Sequence, residues 1–193
     1  VSGGLRYDTR KINSKELIEG GDVKFEKFSR SFSNFSGSAG VSVEASDAIT
    51  LKANIARGFR SPTLAELASN GAHEGTNRYE YGQQDLKSET SLQFDAGLNF
   101  NYEHFSIDIN AFYNSINDFI FYRKLEAFGG GDSLVLNDGD LIQAFKFNQQ
   151  DAKLAGFEAS IDIHPHPLDW LHFENAVSFV RGRFDNPIDG SNN

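Results

Sequence analysis

Apolar and polar residues alternate along most of the chain, which is the pattern of β-strands with one apolar and one polar face. The clearest alternation flanks residues 101–103, where two strands would join in a tight turn. Its apolar positions are Leu92, Phe94, Ala96, Leu98 and Phe100 before the turn, and Phe105, Ile107, Ile109, Ala111 and Tyr113 after it. The pattern predicts about seven strands, at residues 2–7, 35–45, 48–57, 88–101, 104–123, 144–164 and 168–181.

Over the alternating stretches, which run no further than Ile55, Tyr113, Ile163 and Phe179, the apolar faces carry no charged residue, and Asn175 is their main polar exception. The charged residues of the opposite faces are Glu44, Lys52, Asp95, Asp108, Glu158, Asp162 and Glu174. A lipid-facing surface requires this separation, because Lys or Arg there costs about 2–4 kcal/mol at mid-bilayer. A soluble β-sandwich also keeps one face apolar, so the separation is compatible with both folds.

The predicted connections are short at one end of the strands and long at the other. Residues 46–47, 101–103 and 164–169 form the short turns, whereas residues 8–31, 58–87 and 124–143 form the long loops. Short periplasmic turns and long extracellular loops are typical of outer-membrane barrels. The predicted fold is therefore all-β, an antiparallel up-and-down transmembrane β-barrel, and Tyr102 and Trp170 beside the short turns would suit an interfacial aromatic girdle.

Composition and motifs exclude several functions. The 193 residues carry a net charge of −9, which argues against a nucleic-acid partner. With no Cys in the chain, disulfides and thiolate chemistry are excluded. No nucleophile elbow, paired-histidine helix or glycine fingerprint is present, so neither an enzyme nor a bound cofactor is predicted.

One stretch carries a resemblance to a known family. Residues 57–67 read Arg-Gly-Phe-Arg-Ser-Pro-Thr-Leu-Ala-Glu-Leu, and residues 86–91 read Leu-Lys-Ser-Glu-Thr-Ser. In this order and spacing the two motifs resemble the barrel of TonB-dependent outer-membrane receptors, where they end one strand and open the next. Residues 70–80, together with residues 181–183, further resemble the subgroup of zinc- and haem-uptake receptors.

The resemblance implies an importer in the bacterial outer membrane. Its barrel would have about 22 strands, so residues 1–193 would be an incomplete barrel domain without the N-terminal plug and the C-terminal strands. The absence of Met agrees with a segment of a longer protein. The implied partners are the lipid bilayer, the TonB complex acting through the missing plug, and a scarce ligand such as a metal ion, haem or an iron-siderophore. A passive porin-like barrel and a soluble β-sandwich binding module are the alternatives.

The long loop at residues 58–87 holds the candidate binding residues. His73 and Glu74 are candidate metal ligands, because imidazole and carboxylate groups suit zinc. The candidates for contact with the imported ligand are Arg57, Arg60, Arg78 and Glu80. Ordinary surface ion pairs are the competing interpretation of all these charges.

Two local patterns are interpreted as structural. Thr63 and Glu66 have the spacing of a capping box, with Pro62 at the first turn of a short helix. The His164-Pro165-His166-Pro167 segment is interpreted as a rigid turn whose prolines end two strands, because no third metal ligand is evident nearby in the sequence.

Overall fold

The structure, a computed structural model, describes residues 1–19, 21–73, 75–168 and 170–186. These residues form twelve strands and one short helix. In chain order the elements are β1 (Ser2–Ser14), β2 (Leu17–Glu19), β3 (Asp22–Phe25), β4 (Phe28–Ser46), β5 (Ile49–Arg60), α1 (Leu64–Ala68), β6 (Asn70–His73), β7 (Arg78–Tyr81), β8 (Glu89–Tyr102), β9 (Phe105–Lys124), β10 (Leu134–Asn137), β11 (Asp140–Ile163) and β12 (Phe173–Phe184).

The long strands form one antiparallel sheet in the order β1-β4-β5-β8-β9-β11-β12. Its register confirms the predicted apolar face. Leu98 lies opposite Ile109, and Phe157 lies opposite Phe179. Among the described residues β1 pairs only with β4 and β12 only with β11, so the sheet does not close into a barrel.

The opposite face is polar, also as predicted. The Asn54 side-chain amide donates to the Asp95 carboxylate at 2.9 Å, and Asn99 donates to Asp108 at 2.6 Å. These cross-strand bonds satisfy carboxylates that would be costly on a lipid-facing surface.

The apolar face is exposed instead of packed against a second layer. Phe35, Phe94 and Phe179 are 53%, 46% and 55% exposed. A sandwich would bury such residues between its two sheets, so the soluble alternative is not favoured. Tyr102 and Trp170 are also exposed, beside the short turns. No helix in the described ranges combines the length and apolar character needed to span a membrane.

The structure differs from the prediction in the long loops and at several strand ends. The predicted loop at residues 8–31 is largely strand, because β1 and β4 stay paired as far as Ser14 and Phe28. The other two long loops contain α1 and the strands β6, β7 and β10. At the opposite end, β12 begins at Phe173 instead of residue 168. Beyond the membrane neither strand face meets lipid, so the alternation that revealed the other strands is lost there.

A small hydrophobic core lies under the longest loop. Its buried members are Ile12, Phe32, Leu67, Leu86 and Ile120. Phe28 and Phe147 pack against this cluster. Strands at the long-loop end contribute to it together with Leu67 of α1 and Leu86 further along the loop, so burial of this cluster fixes the loop over the sheet.

Candidate ligand-binding site

Three charged residues of the recognised motifs form a cluster that we call the clasp: Arg60, Glu66 and Glu89. Arg60 lies at the end of β5 and pairs in register with Glu89 at the start of β8. Its Nε and Nη2 donate to the Glu89 carboxylate at 2.8 and 2.7 Å, and its Nη1 donates to both Glu66 oxygens at 2.9 Å. The Ile120 N–H of β9 also donates to Glu89, at 2.5 Å. The clasp therefore joins three strands to the helix through charge-assisted bonds.

The helix is held at its N-terminus by the predicted capping box, which the structure confirms. The Glu66 N–H donates to Thr63 Oγ1 at 3.2 Å, while the Thr63 N–H donates to Glu66 Oε2 at 2.7 Å. Glu66 thus caps the first turn and binds Arg60 at the same time. Pro62 is fully buried before this turn.

Contacts within the clasp shift the pKa values of Arg60 and Glu66. Hydrogen bonds from Arg60 to Glu89 raise the pKa of Arg60 despite partial burial, so its charge is permanent. Burial opposes ionisation of Glu66, but the bonds and attraction from Arg60 and Thr63 outweigh it and hold the pKa of Glu66 below its usual value. Both partners are therefore charged at neutral pH.

Further contacts seat the rest of the loop on the sheet. Arg30 of β4 donates to the backbone carbonyl of Leu86 at 3.1 Å. Gln149 of β11 donates to the Lys87 carbonyl at 2.8 Å and accepts from the Lys87 N–H at 2.7 Å. Gly82 runs so close to α1 that an added Cβ would lie 2.5 Å from the Ala68 nitrogen.

Beyond the clasp, β6 and β7 form a hairpin that we call the tip, residues 70–81. The backbone of β7 pairs in parallel with β11, with Tyr79 opposite Ala144. The tip borders a cavity of about 1290 Å³. Its lining consists of Val23, Lys24, Asn70, Gly71, Ala72, His73, Gly75, Thr76, Asn77, Tyr79, Asn137, Asp138 and Ile142.

Most polar groups of this cavity are neutral donors and acceptors. The Tyr79 hydroxyl donates to the Asn70 amide oxygen at 3.0 Å, and Asn70 donates to the Lys24 carbonyl at 2.7 Å. His73 lines the cavity, with its Nδ1 3.3 Å from the Thr76 hydroxyl. Glu74, its predicted partner, lies outside the described residues. An amide-lined cavity of this kind can hold a polar ligand through several hydrogen bonds.

The predicted arginines occupy different positions. Arg57 lies on the apolar face of β5, opposite Leu92, and its guanidinium donates to the Asn34 side chain at 2.9 Å. Arg60 is engaged in the clasp. Neither residue lines the cavity.

Arg78 and Glu80 lie together on β7. The Arg78 guanidinium is 3.2 Å from the nearly buried Glu80 carboxylate and 4.3 Å from the centre of the Tyr122 ring. The Arg78 Nε is buried without a hydrogen-bond partner. This pair occupies the sheet side of the tip.

Sequence reasoning missed the cavity residues Asn70, Tyr79, Asn137 and Asp138. The last two come from β10 and the turn after it, in a loop distant from the tip in sequence. Asn137 and Asp138 belong to a run of Asn, Asp and Gly, which is more typical of a turn than of a ligand-binding site.

The comparisons with known proteins agree with the motif and the fold. The family model for the TonB-dependent receptor-like β-barrel matches residues 1–193. This chain belongs to the TonB-dependent receptor family. The predicted family is therefore confirmed, and such receptors are outer-membrane proteins of Gram-negative bacteria and transporters, not enzymes.

Two relatives are similar over most of the chain. Transferrin-binding protein A of Haemophilus influenzae is 29% identical over 160 residues, 83% of this chain and 16% of the relative. A probable TonB-dependent siderophore receptor, PirA of Acinetobacter baumannii, is 28% identical over 189 residues, 89% of this chain and 25% of the relative. The chain thus spans a quarter or less of the length of these TonB-dependent receptors.

Among solved structures, the copper transporter OprC superposes with a TM-score of 0.70 at 20% identity. The match covers 94% of this chain and 26% of OprC. At this identity it shows a shared barrel fold. The zinc- and haem-uptake subgroup suggested by residues 70–80 is not singled out by these relatives.

Proposed function

We propose that this chain is part of the barrel of a receptor that actively imports a scarce, polar, iron-carrying ligand, with a ferric siderophore as the leading candidate. The observation that carries the proposal is the amide-lined cavity at the tip, beside the motif shared with TonB-dependent receptors. Polar cavities at the outer end of such a barrel are in the position where a ligand first meets the protein. The names of the relatives, a siderophore receptor and a transferrin-binding protein, support an iron source.

The charges near the cavity indicate how a ligand would be recognised there. Arg60 is neutralised by two carboxylates, and Arg78 by Glu80. Recognition would therefore depend on hydrogen bonds from Asn, Thr and Tyr side chains more than on a row of free arginines. His73, facing the cavity, would contact the ligand or, with Glu74, a metal ion that it carries.

The energy for import would come from outside this chain. We infer that a plug domain, contributed by another part of the protein, closes the lumen and transmits force from the TonB complex. The polar inner face with Asp95, Asp108 and Glu158 would line that lumen. The same polar lining would suit the water-filled channel of a passive porin-like barrel, but the match to the TonB-dependent receptor family does not favour that alternative.

The test is uptake by cells that carry the full-length gene, with and without TonB. Labelled ferric siderophores, haem and zinc are supplied separately to each strain. We expect accumulation of a ferric siderophore that disappears without TonB and falls severalfold in the His73→Ala variant. Glu126→Gln, an exposed change in another loop, is the control. Equal uptake with and without TonB would identify a passive channel.

A further inference from the structure

Four of the five histidines of the chain lie at the short-turn end of the sheet, far in sequence from the tip. The rings of His104 and His166 stack at 5.9 Å, and the rings of His164 and His172 are 5.6 Å apart. Asp162 joins the second pair. Candidate ligand atoms of Asp162, His164 and His172 all lie within 4.8 Å of one another. From the sequence the segment at residues 164–167 is interpreted only as a turn, but the fold brings a second imidazole, His172, and a carboxylate, Asp162, to His164.

The spacing fits a single ion. His172 Nδ1 lies 3.3 Å from either carboxylate oxygen of Asp162, and His164 Nδ1 lies 3.8 Å from Oδ2. Ligands bound to zinc at about 2.0–2.1 Å in a tetrahedron are about 3.4 Å apart. Small rotations of these three side chains, of which Asp162 and His164 are partly buried and His172 is exposed, would bring the atoms to that distance.

The hydrogen bonding of His164 orients a lone pair toward the cluster. Its Nε2 is 3.0 Å from the Glu103 carbonyl oxygen, which can only accept, so Nε2 carries the proton. The neutral ring then has a lone pair on Nδ1, and this atom is buried without a hydrogen-bond partner. Metal-bound histidines commonly donate their other N–H to a backbone carbonyl in this way.

A second observation also favours a cation. Asp162 lies directly opposite Glu174 in the β11–β12 register. Like charges at directly opposed positions destabilise a sheet. A divalent ion beside Asp162 would offset this repulsion and the repulsion between its carboxylate and the His164 lone pair.

We propose that Asp162, His164 and His172 bind one divalent transition-metal ion of the Zn²⁺ class. Two imidazoles and one carboxylate are a ligand set that zinc favours, with a fourth position left open to water. The site lies on the polar face of the sheet at the short-turn end, which is the periplasmic rim in the barrel orientation. The ion would join the end of β11 to the segment that leads into β12. This site is separate from the ligand cavity and does not depend on what the receptor imports.

The experiment uses the full-length receptor in detergent after treatment with a chelator. Zn²⁺ alone is titrated by calorimetry into the wild type and into Asp162→Asn, His164→Gln and His172→Gln. We expect one site in the wild type, and a loss of affinity of at least about tenfold in each variant, since even outer-shell changes cost 10–100-fold. His104→Gln is the matched control, a histidine of the same rim outside the ligand set, and it should bind as the wild type does.

Two further readouts keep the proposal falsifiable. Co²⁺ in place of Zn²⁺ should give a visible absorption band in the wild type and in His104→Gln, but not in the three variants. Heat-modified gel mobility identifies any variant that has failed to fold. The proposed Zn²⁺ site is then tested on the variants that do fold. Unchanged Zn²⁺ affinity and stoichiometry in all folded variants would overturn the proposal. So would the absence of Zn²⁺ binding in the wild type, or an equal loss in His104→Gln.

Discussion

The clasp and the tip belong to the same loop between β5 and β8, yet they use polar residues in opposite ways. In the clasp every charge has a partner, and Glu89 is only 9% exposed. In the tip, apart from the Arg78–Glu80 pair on its sheet side, the polar groups border an open cavity of about 1290 Å³. One region holds the loop in place, and the other uses neutral hydrogen-bonding groups to line the cavity in which we propose that the ligand binds.

This difference explains what the family motif encodes. Arg60, Glu66 and Glu89 are its charged members, and Leu67 and Leu86 are buried in the core beneath them. The motif therefore specifies how the loop is anchored, whatever the receptor binds. Ligand preference would depend on the tip, which the motif does not include. A motif match of this kind identifies the family without identifying the ligand.

Among changes that test this difference between the clasp and the tip, removal of the central carboxylate of the clasp should have the largest effect on the stability of the loop. Glu89→Gln leaves Arg60 with Glu66 as its one charged partner in the clasp and weakens the bond from the Ile120 N–H. We expect local opening of the loop to become easier by about 3 kcal/mol, the lower end for a broken buried pair, because Arg60 is partly exposed. Native-state hydrogen exchange of residues 61–88 in the full-length receptor measures this change.

Glu126→Gln is the control for that experiment, because Glu126 is exposed in another loop. Its effect should stay within about 0.5 kcal/mol. Equal protection of residues 61–88 in Glu89→Gln and the wild type would show that the clasp does not anchor the loop.

A pair of glycines compares the two regions directly. A Cβ on Gly82 would lie 2.5 Å from the Ala68 nitrogen and 2.6 Å from the Ser69 nitrogen, whereas a Cβ on Gly71 has no atom within 4 Å. Gly82→Ala must therefore push the chain away from α1. We expect it to ease local opening by about 1–2 kcal/mol, whereas Gly71→Ala should leave exchange nearly unchanged. If both variants behaved alike, the close approach at Gly82 would have no energetic importance.

The sequence predicts strand register where one face of the sheet meets lipid, and it predicts much less where neither face does. The register of β8 and β9 follows from alternation, because a slip of one residue would place Asp95 on the apolar face. The pairing of Arg60 with Glu89 belongs to the same β5–β8 register that pairs Arg57 with Leu92. It was missed because the predicted strand stops at residue 57, where the apolar pattern ends.

The candidate sites were harder to predict for a different reason. His73 was identified by residue type, and it does line the cavity. Asn137 and Asp138 reach the same cavity only because β10 pairs with β11 above the membrane, in a segment without alternation. Asp162, His164 and His172 come together only once β11 and β12 are paired. Contacts between distant segments carry no local signal in one sequence.

The smallest expected effect is a pH dependence of hydrogen exchange that should differ between α1 and the tip. The folded pKa of Glu66 lies below its ordinary value of 4.5, so its contribution to stability is present above that pH and is lost as pH falls through the folded pKa. Below about pH 4.5, exchange at residues 63–69 should accelerate in the wild type more steeply than in Glu66→Gln, which has no carboxylate to protonate. Exchange is followed in the full-length receptor from pH 6 downward, corrected for its intrinsic pH dependence.

The tip residues Asn70 and Tyr79, hydrogen-bonded through neutral groups, should respond only as far as α1 loosens. Identical pH profiles for the wild type and Glu66→Gln would show that the Arg60–Glu66 pair does not hold the helix.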